Sequence, residues 1–290
     1  MKKATLTLFA LVLGNCAASI PASGLTITHR ERSLQPGEVV VITIKSPRPL
    51  KSAEAVAFGK RFSFFPGPDA TSWHGLIGID PELKAGRVAV GLLTTGVDGK
   101  SERDGCFLEI RRKVFPTRRL SVEQRYVTPP PEVEERIRTE SLQVEEIFRA
   151  VTRAKLWQGP FVVPVAAPAS SSFGRRTILN GQPRSPHWGT DFNADTGAPV
   201  NAPNGGRIAL AADLYFSGKT IIIDHGLGLY SYLAHLSQIS VSEGAEVRTG
   251  QLIGKVGSTG RATGPHLHWT VRLAGMRVDP ISLVAVLSGK

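Results

Sequence analysis

The chain has 290 residues, a formal net charge of +11 and hydrophobic residues at 41% of its positions. This length allows two modest domains with buried cores, because a domain usually takes roughly 100 to 200 residues. A basic chain is expected to meet anionic partners. Nucleic acid is not expected among them, since no stripe of basic residues interleaved with aromatic residues forms a nucleic-acid-binding motif.

The first 24 residues have the pattern of an export signal. Lys2 and Lys3 form a positive region, residues 4–20 form an apolar run, and small residues follow up to Gly24, which is the order expected before a cleavage site. The run is shorter than the ~20 apolar residues of a membrane-spanning helix. We therefore expect export and removal of the segment, with no stable transmembrane segment left. Lipidation at Cys16 is disfavoured, because Asn15 stands where a small residue would be expected.

Removal of this segment would change both the charge and the cysteine content. The loss of Lys2 and Lys3 lowers the net charge from +11 to about +9, and an exported basic protein would meet cell-wall polymers or anionic lipid head groups in the periplasm or outside the cell. Cys106 would be the single cysteine left, so we expect neither an internal disulfide nor a thiolate metal site. Metal ligands would have to be histidines and carboxylates.

Residues 25–117 are predicted to form a small N-terminal domain of antiparallel strands. Three β-rich runs, GEVVVITI, RVAVGLL and CFLEIRRKVF, are separated by clusters of Pro, Gly and Asp. Short strands bounded by turn residues are typical of an Ig-like β-sandwich.

Residues 118–160 are predicted to link this domain to a second one. The run Pro129–Pro131 is a stiff boundary, and apolar residues then recur at near-helical spacing between Val133 and Val151. This spacing predicts an amphipathic helix that packs on the chain's own domains. A helix that binds a partner is the alternative.

Residues 161–290 are predicted to form a compact β-rich domain. Strand-like runs such as TIIIDHG and LYSYLAHL are joined by Gly turns, and no helix of ordinary length is evident after Lys155. Many short strands with Gly turns indicate a β structure, so the whole chain is expected to be mainly β.

The segment GPHLHW places two of the seven histidines, His266 and His268, one residue apart. In an extended strand, residues i and i+2 point to the same face, so both imidazoles are expected to face one cleft. Alone, the pair indicates either half-exposed strand histidines or a metal or acid/base site. The segment SPHWGTDF adds His187 and Asp191 in an H-x-x-x-D spacing, and LYSYLAHLS adds His235.

Together with the sequence between them, these residues resemble the lysostaphin-like and LytM-like zinc endopeptidases that cut peptidoglycan peptides. The resemblance runs from residue 170 to residue 272, through SSFGRR, HWGTDFNADTGAPVNAPNGGRI, GKTIIIDHGLGLYSYLAHLS and VSEGAEVRTGQLIGKVGSTGRATGPHLHW. It implies a β-rich peptidase domain of the duplicated hybrid motif type. It also implies that His187, Asp191 and His268 bind Zn²⁺, and that His235 and His266 are the catalytic histidines.

This division of roles suits peptide-bond hydrolysis. Two imidazoles and one carboxylate leave Zn²⁺ an open position for water, and Zn²⁺ lowers the pKa of such water to about 7. The two remaining histidines would orient or deprotonate the water and stabilise the tetrahedral oxyanion. The sequence leaves open which histidine is the base, and which peptide bond is cut.

Two alternatives concern the same domain. A protein of this type could instead be a non-hydrolytic or autoinhibited LytM-type regulator of cell-wall amidases, although all five predicted site positions are filled, which favours an enzyme. His225, in IDHGLG, is interpreted as a structural histidine rather than a fourth ligand. The arginines of FGRR are expected either to meet substrate carboxylates, which guanidinium groups favour, or to form a solvated turn.

Overall fold

The computed structural model of the protein describes residues 12–15, 24–69, 71–121, 129–170 and 172–288. The predicted export signal, apart from Val12–Asn15 and Gly24, lies outside these residues, and so does Cys16. Among the helices that the structure describes, none combines the length and the apolar character needed to cross a membrane.

The N-terminal domain is an antiparallel sheet of eight strands, hydrogen-bonded in the order β1-β2-β3-β6-β5-β4-β7-β8. Strand β3 lies between β2 and β6, and its residues Val39, Ile42 and Ile44 have no exposed surface. A continuous run of β-branched residues suits such a central position, because both faces of the strand are covered. The strands are β1 (Val12–Asn15), β2 (Thr26–Glu31), β3 (Val39–Lys45), β4 (Leu50–Ala57), β5 (Lys60–Pro66), β6 (Ser72–Gly78), β7 (Gly86–Gly96) and β8 (Ser101–Ile110).

Cys106 lies on β8 and is buried. It is disulfide-bonded in the full-length chain. The expectation of a lone cysteine concerns the chain after removal of its leader, and it stays a prediction.

The segment between the domains contributes one strand and one long helix. Strand β9 (Thr117–Leu120) pairs in parallel with β10 (Arg176–Leu179), which also pairs with β11 (Gln182–Arg184). Helix α1 (Glu134–Arg149) follows a 3-10 turn at Pro131–Val133. No residue of α1 is fully buried, and its apolar side rests on Tyr230 and Tyr232 through residues that include Phe148. The helix thus packs on the C-terminal domain of its own chain.

The C-terminal domain is a nine-stranded sheet built around the order β12-β19-β16-β15-β14-β17, with β13, β18 and β20 paired at its sides. Long apolar side chains from its central strands fill the core, including Ile221, Leu233 and Trp269, which have no exposed surface. The strands are β12 (Thr190–Phe192), β13 (Pro199–Asn201), β14 (Gly206–Leu214), β15 (Gly218–Gly226), β16 (Leu229–Ile239), β17 (Glu246–Val247), β18 (Leu252–Val256), β19 (Leu267–Leu273) and β20 (Met276–Val278).

A second helix, α2 (Pro280–Leu287), closes the described chain. The sequence showed no helix of ordinary length after Lys155, and α2 is a short helix whose eight mostly apolar residues carry too little periodicity to reveal it. The start signal is present, however: the Asp279 side chain accepts a hydrogen bond from the Ile281 amide, and Pro280 occupies the first turn.

The start of α2 is also where the two domains meet. Asp279 donates its backbone N–H to Gly37 O at 2.7 Å and accepts a hydrogen bond from the Arg32 guanidinium at 2.6 Å. Its other carboxylate oxygen lies 3.3 Å from the Thr190 hydroxyl on β12. A buried, hydrogen-bonded carboxylate therefore joins the N-terminal domain to the strand that carries Asp191.

Candidate metal centre and cleft

The side chains of His187, Asp191 and His268 meet at one point of the C-terminal sheet. His187 Nε2 lies 3.0 Å from Asp191 Oδ1 and 2.9 Å from His268 Nδ1, and His268 Nδ1 lies 2.9 Å from the same carboxylate oxygen. Strands β12 and β19 pair with Asp191 directly opposite His268, which places the two side chains on the same face. The two predicted motifs are thus brought together by strand pairing.

Hydrogen bonds on the far side of each imidazole fix the orientation of both rings. His187 Nδ1 lies 3.1 Å from the carbonyl oxygen of Ser172, which can only accept, so Nδ1 carries the proton and Nε2 presents its lone pair to the cluster. His268 Nε2 lies 2.9 Å from the Thr270 hydroxyl, which leaves Nδ1 toward the cluster. Ser172 Oγ also accepts the Asp191 backbone N–H at 3.0 Å. Outer contacts of this kind orient metal ligands.

The turn before Asp191 must carry a glycine. A Cβ at Gly189 would lie 2.5 Å from His268 Cε1, closer than atoms of folded proteins approach. The glycine of HWGTDF therefore allows the backbone to pass against the imidazole of the opposite strand.

The three residues fit a divalent metal ion of the zinc type. Burial alone would raise the pKa of Asp191, but the close contacts with His187 and His268 outweigh it and hold this pKa below its ordinary value. Burial lowers the pKa of His268. One carboxylate and two imidazoles, with ligand atoms within 4.8 Å of one another, are the donor set of a catalytic zinc site with open positions.

His235 and His266 lie beside this cluster. The His235 ring centroid is 4.8 Å from that of His266 and 5.9 Å from that of His268. Regular alternation would put His235 on the face opposite Ala234, which is paired with His268. His235 has a φ of 64°, and this left-handed conformation, uncommon for a residue other than glycine, breaks the alternation and accompanies a ring on the cleft side.

Backbone carbonyls fix both of these rings as well. His235 Nδ1 donates to Thr259 O at 2.9 Å, and His266 Nδ1 donates to Gly264 O at 2.8 Å. Each ring therefore keeps Nε2 for the cleft, and His266 Nε2 lies 3.9 Å from Asp191 Oδ1. Burial, and then the electrostatic interaction with the neighbouring His268, lower the pKa of His235 to about 3, so its imidazole is neutral at physiological pH.

The five side chains line a cleft of about 530 Å³. One wall is the ribbon of β9, β10 and β11, where Arg118 and Thr177 are cross-strand partners that both line the cleft. Aromatic and basic side chains contribute elsewhere, namely Trp188, Phe216, Tyr232, Arg175 and Arg261. Of the FGRR arginines, Arg175 lines the cleft and Arg176 is exposed.

Several residues of the site were not predicted from the sequence. Thr270 continues the alternation of His266 and His268 along β19, so strand periodicity could have identified it. Ser172 and Thr259 each hold an imidazole through a backbone carbonyl, a contact that the residue type does not reveal. Arg118 stands in the predicted linker, and only the long-range pairing of β9 with β10 brings it to the cleft.

The contacts that the structure gives for His225 are with residues outside the metal cluster and the cleft. It has no exposed surface, its Nδ1 donates to Gly205 O at 2.7 Å, and its Nε2 lies 2.9 Å from Ser231 Oγ. Its ring packs edge-on against Phe161 with centroids 4.9 Å apart. These contacts are those of a structural histidine.

His225 should make the free energy of unfolding depend on pH. Burial lowers its pKa from 6.5 to about 4. Between these two pH values, the imidazole therefore binds a proton in the unfolded chain but not in the folded chain. Above pH 6.5, the neutral buried imidazole makes its full contribution to the free energy of unfolding. This contribution falls by about 3 kcal/mol as the pH is lowered from 6.5 to 4. Denaturant unfolding of metal-free wild type and His225→Gln across this range measures it. Parallel pH profiles of the two proteins would contradict the assignment.

Comparisons with known proteins agree with this geometry. Residues 185–280 match the family model described as Peptidase family M23. A Pseudomonas aeruginosa protein assigned to peptidase family M23 has a crystal structure that is 31% identical to this chain, with a TM-score of 0.67, over 88% of this chain and 96% of that one. The similarity thus includes the N-terminal domain and the segment between the domains.

Curated relatives match over a shorter segment. The DD-carboxypeptidase/endopeptidase Mpg of Neisseria meningitidis serogroup B is 44% identical over 97 residues, which are 33% of this chain and 22% of that protein. The peptidoglycan DD-endopeptidase ShyA of Vibrio cholerae is 38% identical over 111 residues, which are 38% of this chain and 26% of that protein. The chain therefore spans about a quarter of the length of these relatives.

The mainly β fold and the C-terminal peptidase domain predicted from the sequence are confirmed, whereas the Ig-like arrangement of the N-terminal strands stays a prediction. The family resemblance seen in the H-x-x-x-D and H-x-H motifs is confirmed too, since both motifs fall within the matched residues. The chain belongs to peptidase family M23.

Proposed function

We propose that the protein is an exported zinc-dependent endopeptidase that hydrolyses peptide bonds in the stem peptides or cross-links of peptidoglycan. The observation that carries this proposal is the convergence of His187, Asp191 and His268 in one cleft with the rings of His235 and His266. The names of the relatives support the substrate, since Mpg is called a DD-carboxypeptidase/endopeptidase and ShyA a peptidoglycan DD-endopeptidase.

In this proposal His187 Nε2, His268 Nδ1 and Asp191 hold one Zn²⁺ ion. When bound, the ion supplies Lewis acidity, which polarises the scissile carbonyl and lowers the pKa of water. Asp191 contributes the negative charge of the site, and Ser172 and Thr270 keep the two imidazoles in place through the bonds to their outer nitrogens.

The two remaining histidines handle the protons. Neutral His235, with Nδ1–H given to Thr259 O, accepts a hydrogen bond at Nε2 and so orients the attacking water. His266 Nε2 takes a proton from the water as the new C–O bond forms and passes it to the amine nitrogen as the C–N bond breaks. The protonated form of His266 also donates a hydrogen bond to the tetrahedral oxyanion.

The proposed organisation of the chain follows the sequence. Residues 1–24 are the export signal, residues 25–117 the N-terminal domain, residues 118–160 the linking segment and residues 161–290 the peptidase domain. A basic enzyme of this kind would act in the periplasm or outside the cell, associated with the envelope, where it meets its anionic substrate.

The exported protein should release new amino termini from purified peptidoglycan and contain about one zinc ion per chain. Because the site uses three protein ligands without thiolates, prolonged chelation should abolish the release, and added zinc should restore it. Labelling of free amino groups before and after incubation measures hydrolysis, and elemental analysis measures zinc. No release by protein that contains one zinc per chain would contradict the enzyme and favour the regulator of cell-wall amidases.

A further inference from the structure

We propose that Arg118 and Arg175 form a carboxylate-binding site in the cleft, which selects peptides with a free carboxylate group close to the bond that is cut. This inference rests on the proposed peptidase function and adds to it the chemical class of the preferred peptide.

Both guanidinium groups are placed in the cleft by the backbone around them. Arg118 is the cross-strand partner of Thr177 in the β9–β10 pair, and both line the cleft, whereas the next residue, Arg119, alternates to the other face. The carbonyl of Arg175 accepts the His187 backbone N–H at 2.9 Å. One arginine of the pair is thus a direct backbone neighbour of a proposed metal ligand.

The strand that carries Arg118 is anchored close to the site. Phe115 packs edge-on against Phe173 and Trp188, with centroids 6.3 Å from each. A Cβ at Gly174 would overlap the Phe115 ring, so the glycine makes room for this anchor. The Arg176 backbone N–H donates to Pro116 O at 2.9 Å. The backbone of β9 is therefore held on the peptidase domain, beside the segment that carries Arg175.

Within the part of the chain that the structure describes, the pair has no anionic partner of its own. Among the described residues, neither guanidinium forms an ion pair with a carboxylate, and Arg175 Nε is buried without a hydrogen-bond acceptor. Burial, and then the positive charge of Arg175, lower the pKa of Arg118, while the Asp191 carboxylate opposes them. Asp191 is already held by His187 and His268.

The largely buried guanidinium of Arg32 provides a contrast. Arg32, at the junction of the domains, is paired with both Glu38 and Asp279. Two adjacent guanidinium groups without such partners repel each other, and a bound carboxylate would remove the repulsion and supply acceptors for their N–H groups. Arg261 also lines the cleft, but its guanidinium stacks on the Phe216 ring at 4.7 Å, so we do not include it in the site.

The test compares two cross-linked muropeptides that differ in one group. One carries a free carboxylate on the residue next to the scissile bond, and the other carries a carboxamide there. Wild type, Arg118→Gln, Arg175→Gln and the double variant are assayed with each peptide. The control is Arg207→Gln, because Arg207 is exposed on β14 and does not line the cleft.

Wild type should prefer the carboxylate peptide in kcat/KM by about 10- to 100-fold, the contribution expected of charged hydrogen bonds. The double variant should lose most of this preference, mainly through a higher KM for the carboxylate peptide, and Arg207→Gln should keep it. Equal preference in wild type and in the double variant would overturn the proposal. Unchanged zinc content and unfolding midpoints establish that the variants are folded.

Calorimetric titration with the same two peptides separates this inference from the proposed function. If wild type hydrolyses neither peptide but binds the carboxylate form more tightly, and the double variant does not, the arginine site stands while the enzyme proposal fails. If wild type hydrolyses both peptides at similar rates and binds them equally, the enzyme proposal stands while the arginine site is refuted.

Discussion

Asp191→Ala should leave the protein unable to retain its metal. Asp191 is the only carboxylate among the three described residues that could hold an ion together, and its Oδ1 lies within 3.0 Å of a nitrogen of each imidazole partner. Loss of an outer contact typically weakens metal binding by about 10- to 100-fold. Loss of this direct ligand should therefore cost more than about 100-fold in zinc affinity and abolish hydrolysis.

Zinc content by elemental analysis after dialysis, and competition with a chromogenic chelator, measure this effect. Asp195→Ala is the matched control, because Asp195 is an exposed carboxylate four residues further along the chain and is not part of the cluster. His268→Ala should behave like Asp191→Ala. Stoichiometric zinc retained in both of these variants would show that the ligand assignment is wrong.

The metal cluster could be predicted from the sequence because two local patterns carry it. The H-x-H spacing needs only extended backbone to place both imidazoles on one face, and His266 pairs with Gly257 directly before β19, which carries His268. The H-x-x-x-D pattern became specific only through the family resemblance. That Asp191 and His268 would be direct cross-strand partners could not be predicted, since register between distant strands depends on the packing of the whole sheet.

Other parts of the site depend on features that no local pattern carries. His235 was expected in a regular strand, but its positive φ breaks the alternation. Arg118 was assigned to the linking segment, because nothing in TRRL reveals a parallel pairing with residues 176–179. At His235 the backbone departs from regular strand geometry, and at Arg118 it pairs with a strand that is distant in the sequence. The periodicity of the sequence does not reveal either feature.

The junction between the domains contacts the strand that carries Asp191. Asp279 starts α2, pairs with Arg32 of the N-terminal domain, and lies within hydrogen-bond distance of Thr190, the residue before Asp191. Asp279 and Arg32 are both largely buried. Removal of either side chain would leave the other charge buried and unpaired, which destabilises the folded protein. The N-terminal domain therefore contributes to the position of the strand that carries the proposed metal ligand.

His266→Ala and His235→Ala should each retain zinc and yet lose most of their activity. Neither side chain belongs to the group of three that could hold an ion, whereas both present Nε2 to the cleft beside it. A positioned acid or base typically contributes ~10²- to 10⁴-fold to the rate, and we expect losses of this size in kcat. Release of new amino termini from peptidoglycan, with zinc quantified in the same samples, measures both properties.

The double variant makes this prediction sharper. If the two histidines act on the same water and the same proton, removing both should cost little more than removing the more important one, because residues that act as a unit are not additive. His74→Gln serves as a control, since His74 lies on β6 of the N-terminal domain and bonds Thr43 rather than the cleft. Full activity in both single variants would refute the mechanism. Loss of zinc in His266→Ala, with zinc retained in His268→Ala, would mean that the metal ligand of the H-x-H motif is its first histidine.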